Sequence, residues 1–177
     1  MAIQINGNGT ITGISVGGLP DGIVDTDMIA NNAVTNAKAT GIAGGKVLQV
    51  VEGTSDTTVT ANPNEETLLT LSITPASSSN KVLVFATSVV QAVHSTNAKA
   101  WIQVYRGTSS GTRIINLKEG TNAANYDYCT MSGQKLDSPN TSSAQTYTMT
   151  IARLSGGTSS VSTDGNPYQL QLMEIAA

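Results

Sequence analysis

Five residues, Gly13-Ile14-Ser15-Val16-Gly17, fit the G-x-S-x-G string in which a nucleophilic serine sits on a sharp turn between a strand and a helix. Their surroundings withhold that chemistry. No helical periodicity follows, Gly18 and Pro20 break any helix, and His94 is the single histidine available as a base. Chance occurrence in a Gly- and Ser-rich segment accounts for the string. His94 as a metal ligand meets the same objection, because a zinc site needs several partners and the chain has one His and one Cys, Cys129. Asp25-Thr26-Asp27 offers carboxylate oxygens to a hard cation, but the calcium-loop pattern with its closing Glu is absent. A solvated turn, or a cap ahead of Met28-Ile29-Ala30, is the simpler reading. Gly7-Asn8-Gly9 with Gly13 misses the dinucleotide-binding spacing by one residue, and Gly44-Gly45-Lys46-Val47 lacks the first glycine and the hydroxyl of a phosphate loop. The acidic residues are scattered, with no pair that the sequence places together for glycoside hydrolysis. The chain is therefore expected not to be an enzyme, and to have no catalytic residue, no metal and no cofactor.

Binding chemistry is better represented. Tyr126 and Tyr128 flank Asp127 beside the polar run Gly120-Thr121-Asn122-Ala123-Ala124-Asn125, a composition that stacks on and hydrogen-bonds sugars, so Asn125, Tyr126 and Tyr128 are the candidate glycan contacts. Against this, strand aromatics are more often core or interface, and one Trp with five Tyr is a small supply for a lectin. Net charge is −3, and no cluster of Lys or Arg supplies the electrostatic footprint that nucleic acid requires. Charged residues make up 12% of the chain, where an ordinary soluble domain carries about 25%. Ser, Thr, Asn, Gly and Ala fill the gap. They disfavour long helices, and they suit surfaces that pack permanently on other protein, where an unpaired charge would be costly. One cysteine permits no internal disulfide. The opening Met1-Ala2-Ile3-Gln4-Ile5 lacks a basic and an apolar signal region, and no apolar run is long enough for a membrane helix. Neither nucleic acid nor membrane is an expected partner.

Two regions must position these residues. Residues 1–45 are rich in Gly and Asn, with apolar residues placed singly. Asn6-Gly7 and Asn8-Gly9 tolerate positive φ and separate Ile3 and Ile5 from Ile11 in hairpin-like or looped extended segments. A faint ten-residue repeat sets Val24-Asp25-Thr26-Asp27-Met28 against Val34-Thr35-Asn36-Ala37-Lys38. Such a region cannot build a core alone. It reads as an arm that orders on assembly, with Ile3, Ile5, Ile11, Ile14, Leu19, Val24, Met28, Ile29 and Val34 as its anchoring or intersubunit contacts. Residues 46–177 instead alternate apolar with polar in short runs bounded by turn clusters, the pattern of half-buried antiparallel strands. The expected strands are Lys46–Glu52, Glu66–Thr74, Lys81–Gln91, Ala98–Arg106, Thr112–Lys118, Asp127–Gly133, Gln145–Leu154, Ser159–Ser162 and Tyr168–Ile175. In Ala100-Trp101-Ile102-Gln103-Val104-Tyr105, Ile102 and Val104 take one face and Trp101 and Tyr105 the other, so this strand is expected at the centre of a sheet or at a subunit interface. The fold class is all-β: a jelly-roll-like antiparallel β-sandwich preceded by an extended Gly-rich arm.

Several segments, in order, resemble the β-sandwich domain of bacteriophage tail-fibre and virion-appendage proteins. They are Ile73-Thr74-Pro75-Ala76-Ser77-Ser78-Ser79-Asn80-Lys81-Val82-Leu83-Val84, then Val104-Tyr105-Arg106-Gly107, Leu136-Asp137-Ser138-Pro139 ahead of Thr146-Tyr147, and Leu170-Gln171-Leu172-Met173-Glu174-Ile175. Gly9-Thr10-Ile11-Thr12-Gly13-Ile14 through Gly18-Leu19-Pro20, followed by Asn32-Ala33-Val34-Thr35-Asn36-Ala37-Lys38, is similar to N-terminal segments of fibre-like proteins of phages of marine and freshwater bacteria. The resemblance implies a homotrimeric virion protein, assembled in the host bacterial cytoplasm, whose residues 1–45 contact tail, baseplate or capsid proteins. A short tail fibre reaching a host surface glycan is the first role implied; a capsid decoration (cement) protein or head fibre is the alternative, because no long shaft separates arm from domain, and a glycan-binding module is a third.

Overall fold

The computed structural model describes residues 4–5, 11–12, 46–93, 99–120, 127–155 and 157–177, and every regular element among them is a β-strand. The chain divides into two compact units, Met1–Ile42 and Ala43–Ala177. In the first, β1 (Gln4–Ile5) pairs antiparallel with β2 (Ile11–Thr12), Ile5 opposite Ile11, the extended pairing expected across the Asn-Gly dipeptides.

Among the described residues the second unit holds ten strands: β3 (Val47–Ser55), β4 (Val59–Ala61), β5 (Glu66–Ile73), β6 (Lys81–Val93), β7 (Lys99–Arg106), β8 (Thr112–Gly120), β9 (Asp127–Asp137), β10 (Gln145–Ser155), β11 (Thr158–Val161) and β12 (Tyr168–Ile175). All nine expected runs are strands. Two differences have physical causes. The short β4 escapes notice because Val59-Thr60-Ala61 offers a single large apolar residue; it forms by pairing with β11. Strand β9 runs four residues past Gly133, where a glycine suggests a stop. Gly133 lies mid-strand at a place where an added Cβ would sit 2.7 Å from Leu117 Cδ2, so the glycine makes room for a core leucine and leaves the ladder to β6 unbroken.

The pairing is nested. The strand β7 pairs with β8, β6 with β9, β5 with β10 and β3 with β12, all antiparallel. This ribbon rolls up through two further ladders, β12 with β6 and β10 with β7. The result is one wall in the order β3-β12-β6-β9 and a second in the order β5-β10-β7-β8, which is jelly-roll topology; β11 and β4 extend the first wall beyond the end of β12. The tip of the ribbon is the Gly107–Gly111 turn. Gly107 has φ +93°, and a Cβ on Gly111 would lie 2.1 Å from the Arg106 carbonyl oxygen.

Strand periodicity decides what faces inward. The eight residues of β12 alternate strictly between buried and half-buried. Leu170 and Leu172 meet Val82, Val84 and Ala86 of β6 on one wall, and Ile102, Val104, Tyr147, Met149 and Ile151 line the other. Each large side chain so buried contributes about 1.5–3 kcal/mol relative to exposure. As its two-sided pattern predicts, β7 is an internal strand, between β10 and β8. Ile102 and Val104 enter the core while Trp101, Gln103 and Tyr105 share the opposite face.

Candidate functional site

The buried ionisable groups are tied into the framework. Glu174, 1% exposed on β12, accepts through Oε1 from Asn80 Nδ2 (2.5 Å) and the Ala76 N–H (2.7 Å), and through Oε2 from Gln49 Nε2 (2.6 Å). Gln49 Nε2 also donates to the Thr74 carbonyl (2.7 Å), and Asn80 Oδ1 accepts from the Ala177 N–H (3.2 Å). One carboxylate thus clasps β12, β3 and the β5–β6 turn. Burial pushes its pKa up, but the bonds from Asn80, Gln49 and Ala76 outweigh burial and hold it below the usual value. Asp137 accepts from the fully buried Tyr147 hydroxyl (2.8 Å) and pairs with Arg106 Nε (3.3 Å), locking β9 to β10 and β7. Burial first and Asp137 second push the Tyr147 phenol well above its ordinary pKa.

A third network lies on the outer face of the four-stranded wall. Thr150 Oγ1 donates to Glu65 Oε1 (2.5 Å), and the Tyr105 hydroxyl reaches Glu65 Oε2 (3.5 Å). With its amide nitrogen toward Glu65, Gln103 donates to Oε1 (3.1 Å) and accepts from Arg113 Nη1 (2.8 Å). Burial, then the Glu65 charge, raise the Tyr105 pKa. Lys118 Nζ sits 4.7 Å from the Trp101 ring centroid on the same face. Among the described residues, no three His, Cys, Asp or Glu side chains converge on a point where a metal would sit.

Of the candidate glycan contacts, Tyr128 is described: it is 48% exposed on β9, and its hydroxyl accepts from Gln91 Nε2 (2.5 Å). Asn125 and Tyr126 lie outside the described residues, as do His94 and Asp25-Thr26-Asp27. Of the arm contacts, Ile5 and Ile11 are placed, on paired strands; Ile3, Ile14, Leu19, Val24, Met28, Ile29 and Val34 lie outside. A cleft of about 300 Å³ opens between Thr54, Ser55 and Asp56 and the Gly165–Pro167 turn. It carries one carboxylate, which can hydrogen-bond a small polar molecule and offers no acid–base pair.

The most distinctive surface is one that the sequence reading does not single out. On the outer face of the six-stranded wall, Val50 lies opposite Met173, Met173 opposite Leu83, and Leu83 opposite Leu136. One row of apolar side chains therefore crosses four adjacent strands, a width of roughly 14 Å at the usual strand spacing. Val50 is 51% and Leu136 47% exposed; Val47 and Leu48, where the β3 ladder bulges, extend the patch, as do half-buried Phe85 and Ile175. The neighbouring row is polar apart from Phe85: Gln171 Nε2 (3.0 Å) and, from the row beyond, Gln169 Nε2 (2.7 Å) donate to Glu52. The signal was present as consecutive apolar pairs, Val50-Val51, Val82-Leu83 and Leu172-Met173, which give these strands an apolar residue on both faces. Their alignment depends on register.

No family model and no curated protein matches the chain. Among solved structures it is similar to a chain of the disulfide-linked pili of Bacillus endospore appendages, at 12% identity and TM-score 0.38 over 76% of this chain and 95% of that one. It is also similar to VP2 in the subviral particle of infectious bursal disease virus, at 11% identity and TM-score 0.41 over 73% of this chain and 34% of that one. A chain of the T13 particle of the same virus gives 13% identity and TM-score 0.40 over 75% and 36%. This chain spans about a third of the length of those viral chains. Likeness at this level concerns the all-β sandwich and says nothing of activity.

Proposed function

We propose that the chain is a structural subunit of a bacteriophage particle, in which residues 1–45 attach to other virion proteins and the jelly roll projects as a homotrimer. The observation that carries this reading is the apolar row Val50-Met173-Leu83-Leu136 on the outer face of the six-stranded wall, with Val50 and Leu136 exposed. Contiguous apolar surface of this kind marks an interaction site, and the low charge of the whole chain suits permanent contact. The function is assembly, without catalysis or cofactor. A short tail fibre or appendage touching the host surface is the first placement. Capsid decoration is the second, favoured because the expected arm, residues 1–45, is followed in sequence at once by the first strand of the sandwich, β3 from Val47.

Antibody raised against the protein, followed by gold labelling of intact phage particles from the culture that makes it, tests the reading. Label at the tail end supports the appendage, label over the head supports decoration, and unlabelled particles refute a virion protein.

A further inference from the structure

Resting on the reading of this chain as an assembling subunit, we propose that the β3 end of the apolar row, Val50 and Met173 with Leu48 beside them, is the surface through which copies of the chain pack around a rotation axis. Three observations select a second copy as the occupant.

The first is charge. Close to a rotation axis a residue meets its own copies, so any charge there meets a like charge. Val50, Met173, Leu83 and Leu136 are uncharged; on one side the rows beyond are Gln, Thr and Ser apart from Glu52 and Phe85, and on the other Val47 lies opposite Ile175 and Ile175 opposite the exposed Lys81, which stands on β6, away from the β3 end. The carboxylate of the adjoining row, Glu52, already accepts from two amides. The β3 end of this face is close to self-complementary, whereas a polyanionic partner would find Lys81 alone, and a polycationic one Glu52 alone, in the rows beside it.

The second is size. The largest apolar patches on single chains, often functional, cover about 300–600 Å². A standard interface takes roughly 800 Å² from each partner, so the row needs the flat polar rows beside it to complete a contact. Those rows lie on the same wall.

The third is the difference between the two edges of the wall. At the β9 edge Lys135 lies opposite the buried Val84 but is itself exposed, and a lysine on an edge strand discourages a further strand from adding. At the β3 edge the core-facing positions are Gln49, Val51, Gly53 and Ser55, none charged, and β3 pairs with β12 alone among the described strands. The β3 side is the unguarded approach.

The test measures mass in solution by sedimentation velocity across about 1–100 µM for the full chain, for Leu48→Lys/Val50→Lys, and for Asn116→Lys on the opposite wall. The wild type and Asn116→Lys are expected to sediment as the same oligomer. The double variant is expected to sediment as an 18.2 kDa monomer with an unchanged far-ultraviolet spectrum, its dissociation constant raised at least about 100-fold by the lysines placed in the contact. A monomeric wild type at 100 µM would overturn the proposal and give the face to another particle protein. A double variant that stays oligomeric would overturn this surface and leave assembly standing. Dissociation of the double variant together with unlabelled phage would keep the surface and remove the phage reading. If the double variant loses its spectrum, Val50→Thr replaces it; weakened association then supports the surface and unchanged association overturns it.

Discussion

Replacing Glu174 by alanine tests whether one carboxylate holds the β3–β12 end of the domain together. Glu174 accepts three hydrogen bonds at 2.5–2.7 Å and is 1% exposed. Bonds to a charged acceptor contribute about 1.5–3 kcal/mol each, and donors left without a partner in a buried site add a further penalty. Gln49 retains the Thr74 carbonyl, so the full loss falls on the Asn80 amide and the Ala76 N–H, and the expected cost is about 3 kcal/mol. Trp101 is the single tryptophan and reports unfolding directly. In urea the midpoint should fall by about 1.5 M for Glu174→Ala and by about half that for Glu174→Gln, which keeps the shape without the charge. The pH dependence has a definite sign. The folded pKa of Glu174 lies below its ordinary value of 4.5, so its contribution is complete above pH 4.5 and is lost as pH falls through the folded value. The gap between wild type and Glu174→Gln should be full near neutrality and close as the pH falls below 4.5 and through the folded value. A midpoint shift under about 0.3 M for Glu174→Ala, or a gap that widens in acid, would refute the clasp.

Tyr147→Phe removes the hydroxyl that donates to Asp137 at 2.8 Å; with Arg106 still paired to Asp137, a loss of about 1.5 kcal/mol is expected in the same urea assay. Two glycine substitutions should differ in size. Gly111→Ala drives a Cβ against the Arg106 backbone and should cost more than about 2 kcal/mol, whereas Gly133→Ala meets the flexible end of Leu117 and should cost about 1 kcal/mol, both read from denaturation midpoints.

The fold was legible because strand periodicity and turn chemistry are local. The run Tyr168–Ile175 alternates in sequence and in burial alike, and Gly107-Thr108-Ser109-Ser110-Gly111 announces the β7–β8 turn on its own. Where tertiary packing overrides a local cue, the reading falls short. Gly133 looks like a terminator until Leu117 is seen above it, and Asp137 looks like a surface residue until Tyr147 and Arg106 enclose it. The apolar row was out of reach for a different reason. Val50, Leu83, Leu136 and Met173 belong to four separate segments, and only the registers of three ladders bring them into line.

The nested pairing also dictates how the domain can fold. Its tip closes over a few residues between β7 and β8, but its outermost ladder sets Val47 against Ile175 and joins Lys46 to Ala176, a separation of more than a hundred positions. Loop-closure entropy makes that last ladder slow to form, and contact order this high places folding in the millisecond-to-second range or slower. Strand β12 lies between β3 and β6, so β3 has no partner among the described strands, and β6 lacks its neighbour on that side, until β12 has been synthesised. A nascent chain halted before Tyr168 therefore displays β3 and β6 with no ladder between them, an open edge and apolar surface of the kind that makes folding intermediates prone to aggregate.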